Sequence, residues 1–449
     1  MMPFRASATS AELTPHPQTA ISVLMRRFLG YLSADGLNYL LGFLIYGWLV
    51  RVLSNQQYGK LSVATTIYQT LMMVAALGLD LTGTALIKES GADVIAFARR
   101  AQNLRLIVAV LVCAPLQAGA ALVAWRHHDT LLATLILASF SMVLARALDL
   151  TYLAVTLKLP APLAATRALG LAIYLGLLVA CTPIIRPHLW LVPVLNAIGV
   201  TIGRVQLSRL LRRQAIPSGS VCFIKFSHLL AEGIKAGGGQ LLLLILQTGD
   251  VILLARYVSA DVLGQYAIIS RLYVLGLAVL GAMFNTFLPE IVHVADHIER
   301  LKTVFLKSVA ANLALGIVGG AIFYWLSAPL SELLGHRSMM SVRAISPVFA
   351  LVFLVMAIAN PFLSMLPSFR RGFEYLICVA SGLVVLLVFD LSFIPRHGII
   401  AAAWGQTVAT AYLAAFSMIV FIRHARLLRI ASAKTVVELT NVDKGFPNL

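Results

Sequence analysis

Apolar residues in this chain run in stretches of about 20, separated by short polar segments that carry most of the charge. Alternation with a period of two is absent, so the stretches predict helices rather than strands. A helix rises about 1.5 Å per residue, and roughly 20 residues therefore cross a hydrocarbon layer of about 30 Å. Helices also satisfy every backbone polar group within one segment, as lipid requires. The pattern predicts twelve spans, near 28–50, 60–87, 106–125, 130–156, 168–185, 189–208, 232–255, 263–288, 304–326, 342–364, 372–392 and 399–422. The polar residues 1–27 read as a flexible tail, 209–228 as a basic linker and 423–449 as a second tail. The two blocks between them, 28–208 and 229–422, hold six spans each.

Composition places the chain in a membrane. Hydrophobic residues make up 60% of its 449 positions and charged residues only 12%, about half the usual share in soluble domains. The formal charge of +17 would suggest nucleic acid in a soluble protein, but here it follows topology. Counted over the segments between spans, twenty Lys and Arg fall on the side shared with the N-terminus and seven on the other. Such a bias orients a membrane protein with its basic side in the cytoplasm, so both termini are expected there, in the inner membrane of a bacterium. No nucleic-acid partner is expected. The four cysteines show no paired or metal-type spacing. Glu290, His293 and His297 would share a helix face, but that pattern reads as a polar loop helix, and no metal or other cofactor is predicted. Nucleotide-binding loops and nucleophile elbows are absent.

The two blocks are related. RVLSNQQYGKLSVATTIY, from Arg51, aligns with RYVSADVLGQYAIISRLY, from Arg256, at an offset of 205 residues. Arg51 then matches Arg256, Ser54 matches Ser259, Gly59 matches Gly264 and Tyr68 matches Tyr273. Both segments hold the same place, the outer loop and second helix of a six-helix set. The expected fold is all-α and polytopic, with two pseudo-symmetric six-helix bundles.

The basic patch, first helix and RVLSNQQYGKLSVATTIYQTLMMVAALGLD resemble the start of the polysaccharide transport family. The element from Asp250 is similar to that family's seventh and eighth helices, where a Gly-x-Tyr leads to a helix ending in Leu-Pro. Here these positions are Gly264, Tyr266, Leu288 and Pro289. The resemblance implies membership of the multidrug/oligosaccharidyl-lipid/polysaccharide (MOP) exporter superfamily, alongside the Wzx-type flippases. It implies a substrate, an undecaprenyl-pyrophosphate-linked oligosaccharide for O antigen, capsule or exopolysaccharide. It also implies as partners membrane lipids and a polysaccharide polymerase with its chain-length machinery.

Charges inside spans supply the candidate chemistry, since each costs about 2.5–3.5 kcal/mol to insert at the membrane centre. Arg271 lies eight residues into the eighth span and Arg146 deep in the fourth, with Lys235 near the inner end of the seventh. These three are candidates to line a cationic central cavity, and Arg51 and Arg256 to flank its outer mouth. Arginine suits a diphosphate because it binds phosphate oxygens with two parallel hydrogen bonds. The competing reading pairs Arg146 with Asp149 at i, i+3 and lets the other cations reach water along their own stems. Asp35, Asp80 and Asp149 are candidates for a coupling proton or cation, or for purely structural roles. Pro115, Pro193, Pro347 and Pro361 are expected to kink their helices. Two other functions remain open: export of small amphiphilic cations, which calls for an acidic cavity, and a membrane-embedded polysaccharide polymerase or ligase, which calls for a large external loop.

Overall fold

The computed structural model describes residues 36–79, 87, 94–157, 159–214, 226–293, 298–335, 340–368 and 372–443. All its regular structure is helical. In chain order the main helices are α1 (Gly36–Val52), α2 (Asn55–Ala76), α3 (Ala96–Arg126), α4 (Thr130–Ala154), α5 (Pro160–Ala180) and α6 (Leu191–Gln214). The second set begins with α7, which runs over Phe226–Thr248, breaks at Gly249 and resumes over Asp250–Tyr257. It continues with α8 (Ala260–His293), α9 (Ile298–Gly335), α10 (Met340–Ser368), α11 (Gly372–His397) and α12 (Ile399–Asp443). Ten of the twelve, α3 to α12, are long and apolar enough to cross a membrane; α1 is shorter within the described residues and α2 is more polar.

The polarity of α2 follows from its place. It forms most of the contact between the two helix sets, lying against α8 and α7. Its Asn55, Ser62 and Thr66 are buried there and do not face lipid. The repeat matches correspond to matched structural roles. Ser54 caps α2, its hydroxyl accepting from the Gln57 amide at 3.1 Å while the Gln57 side chain accepts from the Ser54 amide. Ser259 begins α8 in the same manner, accepting from the Val262 amide at 3.4 Å. Gly59 and Gly264 meet where α2 and α8 cross. A Cβ on Gly264 would strike the Asn55 carbonyl, and one on Gly59 would strike Ala260. Only glycine lets the two backbones approach this closely. The same seam holds the Tyr46 hydroxyl, which donates to the Ile268 carbonyl at 3.0 Å.

Large apolar side chains, among them Leu111, Val123, Ile317 and Val388, lie on the outer surface. That inverts the pattern of a soluble protein and fits a surface solvated by acyl chains. The chain is a multi-pass membrane protein. Within α3, residues Ala109–Cys113 form a π-helical turn just before Pro115, which cannot donate to the Leu111 carbonyl. Pro193 lies in the first turn of α6, where a missing amide costs nothing, so no kink arises there.

Candidate functional site

In the first helix set, three arginines gather around one aspartate. Asp149 lies in a break within α4, after which the helix resumes at Thr151. Its Oδ1 accepts from the Thr151 amide at 2.9 Å and the Thr151 hydroxyl at 2.6 Å. Oδ2 accepts from Arg146, one turn earlier, and from Arg204 Nη2 of α6 at 3.2 Å. The Asp149 carbonyl takes Arg105 Nη1 of α3 at 2.7 Å. Arg105 is fully buried, its Nε donating to the Ala76 carbonyl at the end of α2 (3.2 Å) and its guanidinium lying over the Tyr152 ring. It therefore ties the seam helix to the aspartate.

A cavity of about 290 Å³ opens beside this cluster, lined by Asn38, Arg146, Asp149, Thr166, Arg167 and Arg204 among others. Its size lies near the lower end of the usual range for small-ligand sites, about 300–1,000 Å³. The far wall depends on a close crossing of α5 and α6. A Cβ on Gly203 would strike the Thr166 carbonyl, and Gly170 and Gly199 abut in the same way. Among the described residues, three lining guanidinium groups face one lining carboxylate, a formal excess of two positive charges, and Arg105 stands behind them. Such a site suits a multiply charged anion. Arg167 is the most exposed of the three, with a distant contact to Thr151 at 3.5 Å. It is thus the group most accessible to a ligand.

The candidates read from the sequence are distributed unevenly. Arg146 and Asp149 come together here, as the i, i+3 spacing allows. Arg271 does not join them. It sits half-buried at the seam, donating to Gln69 Oε1 of α2 at 3.2 Å. The cavity beside it is about 10 Å³, which is room for at most one water. Arg51 and Arg256 are exposed at the opposite ends of their helices from the Asp149 cluster, Arg256 near the Tyr257 ring. Lys235 lies on α7, beyond the described side chains. Asp35 and Asp80 lie outside the described residues. Arg105, Arg167 and Arg204 are additions. The hydropathy pattern starts the third and fifth spans at 106 and 168, which leaves Arg105 and Arg167 in loops, whereas α3 and α5 start about eight to ten residues earlier. Arg204 lies within its span and would have been found by asking which buried cations lack a local acid.

The sequence matches the polysaccharide biosynthesis protein family over residues 24–294. No curated protein matches it. Among solved structures, it is similar to an inward-facing multidrug resistance MATE family transporter of the MOP superfamily. That match has a TM-score of 0.68 at 14% identity and covers 88% of this chain and 96% of the other. A MOP superfamily transporter from Pyrococcus furiosus, described as having a binding pocket of reversed polarity, gives 0.64 at 13% identity, covering 91% and 96%. The Vibrio cholerae MATE transporter VcmN gives 0.61 at 12% identity, covering 91% and 98%. These likenesses establish a MATE-like fold.

Proposed function

We propose that this chain, which belongs to the polysaccharide biosynthesis protein family, is a flippase that carries lipid-linked oligosaccharide units across the bacterial inner membrane. The observation that carries the reading is the arginine-lined cavity of the first helix set, with its excess of two positive charges. A polyprenyl diphosphate brings at least two negative charges that must leave water to cross. Guanidinium groups in a partly dehydrated cavity offset that loss, and their paired donors match phosphate oxygens. The glycan then occupies the space between the helix sets while the prenyl chain stays in lipid.

The MATE-like fold supports alternating access as the mechanism. In this conformation α2 and α8 meet closely at Gly59 and Gly264, which bars passage at that end of the seam. The twelve-helix plan and the basic bias of the loops support a reading in which both termini are cytoplasmic. The arginine cavity lies at the end of the bundle where α1 begins, since Asn38 lines it, and in this reading that is the end at which a precursor built in the cytoplasm would enter. Export of small amphiphilic cations is disfavoured by the sign of the cavity.

The test is reconstitution into proteoliposomes with an undecaprenyl-diphosphate oligosaccharide and a sugar-modifying probe confined to one face. Protein-dependent movement of the substrate to the probed face is expected. No movement beyond that of protein-free vesicles, across several diphosphate-linked glycans, refutes the reading.

A further inference from the structure

A second recess lies in the other helix set, and it is apolar. It measures about 250 Å³ and runs between α8 and α9, with α10 beneath. On α9 its wall is Leu315, Val318, Ile322, Leu326 and Leu330, spaced by three or four residues and so on one helix face. Val318, Ile322 and Leu326 are also exposed on the outer surface, which leaves the recess open to lipid. Leu272 and Val279 of α8 stand opposite.

The floor is aromatic. The Phe353 ring of α10 lies against Gly276 of α8 and Gly319 of α9, and a Cβ on either glycine would strike it. Phe323 packs on Phe353 with ring centroids 5.5 Å apart, and Tyr273 backs both rings. Among the described residues the only polar lining side chain is Ser327, whose hydroxyl is already engaged with that of Ser346 at 2.7 Å. The recess therefore offers nothing to a polar ligand. Left void it would forfeit dispersion contacts along its whole lining, so a hydrocarbon chain fills it.

Length and position decide which chain. The α9 wall rises about 22 Å from Leu315 to Leu330, whereas one leaflet of a core about 30 Å thick gives a phospholipid tail only about 15 Å. The fitting occupant is longer than one leaflet. The α8 wall starts at Leu272, next to Arg271, which reaches across the seam to Gln69 of α2. α8 thus has the seam on one side and the recess on the other, and a chain leaving the seam past α8 meets the recess on its lipid side. We propose that this recess is a groove for the polyprenyl tail of the lipid-linked substrate, an inference that rests on the flippase reading and deepens it. Lipid tails are as apolar as the groove, so its preference comes from packing and from a tether. A headgroup held between the helix sets keeps its own tail at a high local concentration beside α8.

The test is photo-crosslinking of the full chain in vesicles of phosphatidylethanolamine and phosphatidylglycerol that contain radiolabelled undecaprenyl diphosphate. Benzoylphenylalanine replaces either Val318, in the groove, or Val388, which is also exposed but lies on α11 outside it. Labelling from the Val318 position should exceed that from the Val388 position at least about fivefold, and unlabelled undecaprenyl diphosphate should compete it away. Ile322→Trp, which narrows the groove, should lower it by a similar factor; if that variant does not fold, the contrast between positions and the competition carry the test. Equal labelling at the two positions, or equal competition by added phosphatidylglycerol, overturns the proposal and leaves an ordinary lipid contact. A crosslink between two copies of the chain overturns it as well. The assay needs neither glycan nor movement across the membrane. Selective labelling without flipping would therefore count against the transport reading alone, and flipping without selective labelling against the groove alone.

Discussion

Replacing Asp149 by Asn tests whether the arginine cluster is an anion site held ready by its own counter-ion. The substitution keeps shape but removes the charge that holds Arg146 and Arg204 together, and it turns an amide N–H toward guanidinium donors. Removing one partner of a buried pair costs about 3–5 kcal/mol. Here the pair borders a cavity, with the Arg146 and Arg204 side chains 19% and 13% exposed, so the lower end, about 3 kcal/mol, is expected. The Thr151 contacts survive in part, because the Asn carbonyl can still accept them. The assay is thermal unfolding in detergent, with and without inorganic pyrophosphate. A ligand at one hundred times its Kd adds about 2.7 kcal/mol to the folded state. Pyrophosphate should therefore return most of the lost stability to Asp149→Asn, and should raise the variant more than the wild type, in which Asp149 competes for the same donors. A variant that melts with the wild type would show that Asp149 does not hold the cluster together, and one that pyrophosphate leaves unmoved would show that the cluster is an internal staple and nothing more.

Three further predictions concern the seam and the cap. Gly264→Val forces a side chain into the Asn55 carbonyl and should cost at least about 2 kcal/mol in unfolding and abolish transport. Gly281→Val, at a position open to space, should do neither. Ser54→Ala removes the capping hydroxyl of α2 and should lower stability by about 1 kcal/mol, read from the same unfolding curves. Arg271→Ala breaks one hydrogen bond across the seam, a net loss of about 1.5–3 kcal/mol for a charged partner. Its substrate affinity should stay within about threefold of wild type, because the adjoining space holds no ligand. A large loss of affinity in that variant would move the binding site to the seam.

Much of the architecture is legible in the sequence because it depends on local regularities. Helix length and the offset of 205 residues fix twelve helices and their pairing into two sets, and the matched Ser54 and Ser259 prove to cap matched helices. The Arg146–Asp149 pair is legible for the same reason, being one helical turn apart. Its completion is not, since Arg204 lies 55 residues further on and reaches Asp149 only through the glycine crossing of α5 and α6. Arg105 and Arg167 are hidden by a different effect. A lone arginine depresses the hydropathy of its neighbourhood, so the pattern starts the span just after it, although burial against Tyr152 and two carbonyls keeps Arg105 inside. Arg271 shows the converse. Its depth is plain from the sequence, but its partner Gln69 belongs to the other set, and no spacing reveals that the space around it is closed.

The most direct test of the central claim compares wild type with the Arg146→Ala/Arg204→Ala double variant in proteoliposomes, following movement of a diphosphate-linked oligosaccharide. Each lost charged contact is worth about 1.5–3 kcal/mol, so the pair should slow transport roughly 100-fold or more at limiting substrate. The double variant must remain monodisperse, and Arg204→Lys alone should keep part of the rate, since it retains charge without the paired donors. A double variant that moves the substrate at the wild-type rate would contradict the account and place the diphosphate elsewhere in the molecule.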